Sequence, residues 1–260
     1  MKICVFVDME GISGISGSDF VMPDGSRHSE GRRLYTQDTN ACIQGCYDAG
    51  AEGVLIRDGH GAGNYMVTEE LDCRAELLQG PTDRRFPFLD EFDAVILLGY
   101  HAMAGTPGAL LEHTYSSASI QNLWLNGRKV GEIGIDAATT GEQGKPVIMV
   151  SGDDKACAES VDWIPGVVTC QVKQGISCQS ARMLSLEDAH ELIRIKTIEA
   201  ISQMETIPLV VVEQPVTLRV EMVERHAIPN SFARPEMKVL DSRTYEVSAD
   251  SVEKAFYKVF

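Results

Sequence analysis

The stretch Met1-Lys2-Ile3-Cys4-Val5-Phe6-Val7-Asp8-Met9-Glu10 decides the fold. Residues 3–7 are apolar without a break and rich in β-branched side chains, and they stop at two carboxylates. So short a run, bounded by polar residues, predicts a strand covered on both faces, the situation of strands in a parallel sheet. The same pattern recurs at residues 53–56, 94–98, 146–150 and 167–172. Helices are expected between these runs, notably over 33–49, which ends at Gly50, and over 137–143, followed by Gly144 and Pro146. Strand alternating with helix predicts an α/β fold with a mostly parallel, doubly wound sheet flanked by helices. Residues 120–133 interrupt the pattern, because Leu123-Trp124-Leu125 and Lys129-Val130-Gly131 flank Asn126-Gly127, a strong hairpin signal.

Further along, Ser185 with Asp188 three residues later reads as a capping box opening a helix that runs to about residue 204. The character then changes: strands are expected at 209–212, 216–223 and 237–240, with a turn-rich stretch holding Pro229 and Pro235 and a last helix from Ser251. These features place a boundary near 205–207, dividing an α/β domain over residues 1–205 from a smaller α+β portion over 206–260 packed on it.

Composition narrows the function classes. Thirty-eight acidic against 23 basic residues give a net charge of −15, which repels nucleic-acid backbones and anionic membrane surfaces. No nucleic acid and no membrane are therefore expected as partners. The N-terminal apolar run is too short for a signal-peptide core, and nothing resembles a membrane span. The seven cysteines are odd in number, dispersed and without a C-x-x-C pair, so they read as reduced thiols of a cytoplasmic protein.

Three of the strand runs end in side chains able to bind a metal. Residues 3–7 lead to Asp8 and Glu10, residues 53–56 to Asp58 and His60, and residues 94–98 to His101. In an open parallel sheet, ligands bind beyond the carboxyl ends of the strands, where residues distant in sequence converge. The spacing of two between Asp8 and Glu10 puts both side chains on one side of an extended backbone. A mixed imidazole and carboxylate set suits zinc and similar first-row ions. Each piece has a plain structural reading, since a lone strand-end histidine is usually a satisfied structural residue and D-x-E arises by chance; their joint placement carries the inference. Glu132, between Gly131 and the Ile133-Gly134 step, reads from sequence as a turn residue, and His113, in a loop with Gly105, Pro107 and Gly108, stays open between loop and functional histidine. His28, His190 and His226 read as structural or solvated. Gly59-His60-Gly61-Ala62-Gly63 lacks the glycine that a dinucleotide fingerprint needs at Asn64, and residues 11–17 contain no G-x-S-x-G elbow.

Taken together, Val7-Asp8-Met9-Glu10-Gly11-Ile12-Ser13-Gly14, Asp58-Gly59-His60, Leu98-Gly99-Tyr100-His101-Ala102, Thr106-Pro107-Gly108, Val130-Gly131-Glu132 and Gly152-Asp153-Asp154 resemble, in this order, the DppA-type zinc D-aminopeptidases of peptidase family M55. The resemblance spans residues 3–180. It implies a cofactor of two zinc ions per subunit, held by Asp8, Glu10, His60, His101 and Glu132, and it assigns the catalytic histidine to His113. Asp8 would then bridge, because five ligands serve two ions only if one carboxylate is shared. The implied activity is metal-assisted hydrolysis of short peptides with an N-terminal D-amino acid, by ions roughly 3.5–4 Å apart. The implied assembly is a homo-oligomer, a decameric ring with its sites facing an inner channel. Another two-metal hydrolase, a phosphoesterase or amidase, and a non-catalytic metal- or nucleotide-binding module are the alternatives.

Overall fold

A computed structural model describes residues 1–231 and 234–260. In chain order the elements are β1 (Lys2–Val7), α1 (Ser18–Val21), α2 (His28–Asp48), β2 (Gly53–Asp58), β3 (Glu76–Leu78), β4 (Ala94–Tyr100), β5 (Ile120–Leu125), β6 (Arg128–Lys129), α3 (Glu132–Glu142), β7 (Val147–Asp153), α4 (Asp154–Trp163), β8 (Val168–Ser177), β9 (Ser180–Met183), α5 (Leu186–Gln203), β10 (Val216–Met222), β11 (Lys238–Val239), β12 (Thr244–Ala249) and α6 (Val252–Val259).

The first sheet runs β3-β2-β1-β4-β7-β8-β9, parallel throughout except for β9, which pairs antiparallel with β8. All seven residues of β4 and of β7 are buried, which accounts for their continuous apolar sequence. From β1 the chain builds outward to β2 and β3, then returns to place β4 on the other side of β1. That reversal opens a crevice beyond the carboxyl ends of β1 and β4, the usual ligand position in such sheets. The mostly parallel α/β architecture expected from the alternation is therefore the observed one.

The second sheet is antiparallel, in the order β11-β12-β10-β5-β6. It joins the β5–β6 hairpin to strands that follow residue 205. The hairpin turns where expected, with Asn126 at φ 47° and Gly127 at φ 83°, the left-handed pair that a two-residue turn requires. Along β10 buried residues alternate with partly exposed ones, as on a sheet with one covered face.

Three expectations need correction. The helix expected over 137–143 begins at Glu132. Gly134, which weakens a helical reading, is there because α3 packs so close to α4 that a Cβ would lie 2.8 Å from the Trp163 ring. The helix expected from residue 33 begins at His28. Residues 209–212 form no strand: the segment passes over α3, where a Cβ on Gly141 would come 2.2 Å from the Val210 carbonyl oxygen, and it leaves Val211 exposed.

Candidate metal centre

Asp8 and Glu10 lie just past β1, in a turn rather than on the extended backbone that their spacing suggested. The turn is fixed by hydrogen bonds from the Asp8 amide to the Leu98 carbonyl (2.8 Å) and from the Gly11 amide to the Gly99 carbonyl (2.7 Å). Gly99, at φ +73°, lets the two chains touch, since a Cβ there would come 2.2 Å from the Asp8 carbonyl oxygen. Both carboxylates still reach one imidazole: His60 Nδ1 is 3.0 Å from Asp8 Oδ1 and 3.2 Å from Glu10 Oε2. His60 itself follows β2, where the Gly59 amide donates to the Val7 carbonyl at 2.9 Å.

A second group faces the first. His101 Nε2, just beyond β4, lies 3.4 Å from Asp8 Oδ2 and 3.4 Å from Glu132 Oε1. Glu132 opens α3, so its carboxylate sits at a helix N-terminus, where partial positive charge favours it. Its Oε1 accepts the Tyr115 amide at 2.7 Å, and its Oε2 is 3.7 Å from Arg85 Nη2. The His113 ring stacks on that of His101, 4.0 Å between centroids and 12° from parallel, with Nε2 3.8 Å from Glu132 Oε1. The structure thus brings together all five expected ligands and His113.

Three features fit this set to metal ions. Asp8, Glu10 and His60 present donor atoms within 4.8 Å of one another, and so do His101, His113 and Glu132. Each imidazole has one nitrogen on a backbone carbonyl, Val21 for His60 Nε2 (3.2 Å), Ala102 for His101 Nδ1 (3.0 Å) and Leu111 for His113 Nδ1 (2.9 Å), which leaves the other aimed at the carboxylates. Such an outer hydrogen bond sets the tautomer of a ligating histidine. Finally, Glu10 Oε2 and His101 Nε2 are buried without a hydrogen-bond partner, an expense that a coordinated cation removes. Three carboxylates with three imidazoles match the donor chemistry of zinc better than that of magnesium or calcium.

Electrostatics agree. Burial would raise the Asp8 carboxyl, but the facing imidazoles of His101 and His60 hold it well below the ordinary range. Burial would lower His60, yet Glu10 and Asp8 raise it well above the usual value; His101 is likewise raised against its burial by Asp8 and Glu132. For Glu132, burial is outweighed by the facing imidazole of His101, and its carboxyl is lowered. The carboxylates thus favour positive charge at the centre, as a cation site requires.

Several supporting residues escape a reading of the sequence. Arg85 is bidentate to Asp136 (2.6 and 2.8 Å) and backs Glu132. Lys173 is buried in β8, where a lone lysine in a strand-like run is its faint signal. Glu159 accepts the Met103 amide at 2.7 Å through Oε2, leaves Oε1 buried without a partner, and is pushed up by burial to about 7. Asp58 faces away from the centre, taking the Tyr35 hydroxyl (2.9 Å) and the amides of Tyr65 and Met66 (2.6 and 2.8 Å). The Asp153 carboxylate caps α4. Of the remaining histidines, His28 opens α2, His190 lies 3.2 Å from Asp38, and His226 is solvated beside Glu224. The centre opens into a cleft of about 500 Å³ whose wall includes Met22, Tyr65, Ser116 and Gln179.

Comparison with known proteins gives three findings. The sequence model of a family described as D-aminopeptidase, Peptidase M55, matches residues 1–260. A D-aminopeptidase of Bacillus subtilis (strain 168) is 36% identical over 221 residues, covering 83% of this chain and 80% of the relative. A solved structure, the Zn-dependent D-aminopeptidase DppA from Bacillus subtilis, a self-compartmentalizing protease, superposes with a TM-score of 0.91 at 29% identity over 100% of this chain and 95% of that one.

Proposed function

Because the chain belongs to peptidase family M55, the D-aminopeptidases, we propose that it is a zinc-dependent aminopeptidase that releases N-terminal D-residues from short peptides. Two zinc ions are held, on this reading, by Asp8, Glu10, His60, His101 and Glu132. One observation carries the two-ion assignment: the oxygens of Asp8 diverge, Oδ1 toward His60 and Oδ2 toward His101. A carboxylate placed so serves both halves of the centre.

Zinc in such a set supplies a Lewis acid for the scissile carbonyl and a solvent nucleophile at neutral pH. The chain's own groups do the rest. His113 presents Nε2 at the edge of the centre with Nδ1 tied to the Leu111 carbonyl, the arrangement of a group that hands a proton to the departing amine. Glu112, the acid of the cleft wall outside the ligand set, would pair with a free α-ammonium group, which selects the N-terminus of a peptide. The Tyr115 amide and Arg85 keep Glu132 in place while charge moves beside it.

No helix among the described residues is long and apolar enough to cross a membrane, and the seven cysteines are free thiols. We assign the protein to the cytoplasm and to a homo-oligomer, a decameric ring, in keeping with the self-compartmentalizing Bacillus subtilis relative; light scattering tests the subunit number.

The deciding experiment assays D-Ala-D-Ala, L-Ala-L-Ala and p-nitrophenyl phosphate in parallel, with chelator and after zinc is restored. Turnover of the D-peptide that chelator abolishes and zinc restores is expected. Release of phosphate alone would replace this reading with a phosphoesterase.

A further inference from the structure

Residues 8–17 carry two of the ligands, yet they form neither helix nor strand and are mostly buried. Buried carbonyl groups in such a loop need partners that secondary structure does not provide. Lys173 provides them from β8: its Nζ donates to the carbonyl oxygens of Glu10 (2.8 Å), Ile12 (2.6 Å) and Ile15 (2.8 Å). An ammonium group has three protons and accepts nothing, so its whole donor capacity goes to this one loop. Asp38 of α2 also holds the loop, accepting the Ser13 amide (2.8 Å) and the Ser13 hydroxyl. The loop is gripped by a positive group on its carbonyls and a negative group on its amide face. Its apolar side chains Met9, Ile12 and Ile15 point into the core, and Glu10 lies next to the first of the three gripped carbonyls, its Oε2 buried and unpartnered opposite His60.

We propose that Lys173 is a positioning residue that sets the place of Glu10, and with it the affinity of the ion shared by Asp8, Glu10 and His60. This rests on the two-ion reading above. Lys173 makes no hydrogen bond to His101, His113 or Glu132 among the described residues, so its removal loosens one half of the centre and spares the other.

The test is a zinc titration of metal-free protein against a chromophoric chelator, with thermal unfolding of the same samples. Wild-type chain binds two ions; fewer than two would refute the two-ion reading whatever the variants do. Lys173→Met keeps the length of the side chain and removes all three donors. It is expected to fold but to unfold at a lower temperature than wild type, since three buried carbonyls lose their donor, to bind one ion normally, and to bind the other roughly 10- to 100-fold more weakly, the range for partners one shell outside a metal. Lys173→Gln keeps two donors and is expected to fall between. Either variant folded and binding both ions with wild-type affinity overturns the proposal. Failure of both to fold overturns it too, since Lys173 would then serve the fold rather than the centre.

Discussion

The two halves of the centre are built differently. Asp8, Glu10 and His60 follow β1 and β2, neighbours in the sheet, and the loop that carries the two carboxylates is fastened by buried Asp38 and Lys173. His101 follows β4, but its companions come from elsewhere: Glu132 from the start of α3 and His113 from a connecting loop. Tyr115, whose amide holds Glu132, adopts φ +60° and packs its ring on Phe256 and Phe260 at the C-terminal end of the chain. The first half is a property of one sheet edge, whereas the second depends on how that edge meets a helix, a loop and α6. Asp8 is the joint between them.

Replacing the joint gives the largest effect. Asp8→Ala removes an oxygen from each half, so both ions are expected to be lost, and kcat/KM should fall by more than the ~10²–10⁴-fold attributable to one proton-transfer group. Metal analysis beside peptide turnover checks this. Loss of one ion only would mean that the halves are independent and that Asp8 belongs to one of them.

His113 comes next. His113→Asn should lower kcat by about 10²–10⁴-fold while both zinc ions stay bound, because a proton-transfer group can be deleted without touching a ligand. Its Nε2 lies within the same donor cluster as His101 and Glu132, so the result discriminates sharply. Zinc content that drops by one per chain would make His113 a ligand and enlarge the second half at the expense of the proposed chemistry.

The contrast between halves also explains what could be read from the sequence. Asp8, Glu10, His60 and His101 were legible because fully buried parallel strands announce themselves as short apolar runs, and the residue after such a run must lie at the sheet's carboxyl edge. The alternation of strand and helix and the expected hairpin at Asn126-Gly127 follow from equally local rules. Glu132 was not legible from local rules, since an acid between glycines has the signature of a turn; that Gly131 is the extended N-cap of α3 and Gly134 a close helix contact depends on Trp163, which lies far along the chain. Only resemblance raised Glu132 to a ligand. Lys173 and Asp38 left almost no trace, because a buried charge is recognisable only once its partners are known. The strand expected at 209–212 failed for the converse reason: its apolar residues satisfy a strand pattern, but the segment lies against α3 at Gly141 and pairs with no strand among the described residues.

Glu159 offers the smallest and most selective test of the second half. Its Oε2 fixes the Met103 amide, two residues beyond His101, and its Oε1 points at Gly131, where a Cβ would come within 2.4 Å. Burial lifts its carboxyl from the ordinary 4.5 to about 7. The sign follows directly. Between these values the unfolded chain has released the proton and the native chain keeps it, so native stability falls as pH rises through this window and the full cost of the buried charge is present above it. The raised imidazoles of His60 and His101 act in the same direction, because their contribution is complete below 6.5 and is lost as pH climbs through their native values. These three groups weaken the metal-free chain as pH rises, whereas Lys173, lowered by burial from 10.5 to about 7, opposes them above pH 7. Glu159→Gln keeps an acceptor for Met103 and removes only the carboxylate's share, so metal-free variant and wild type should unfold alike near pH 4.5. At pH 8 the variant should be the more stable by on the order of 2–3 kcal/mol, an upper range from about 1.4 kcal/mol per tenfold change in proton affinity. In zinc-loaded protein the gain should shrink, because cations beside His101 and Glu132 favour the ionised carboxylate. Thermal unfolding at both pH values, with and without zinc, reads all four cases; an equal gain in the loaded and metal-free forms would place Glu159 outside the electrostatic reach of the centre and detach it from the second half.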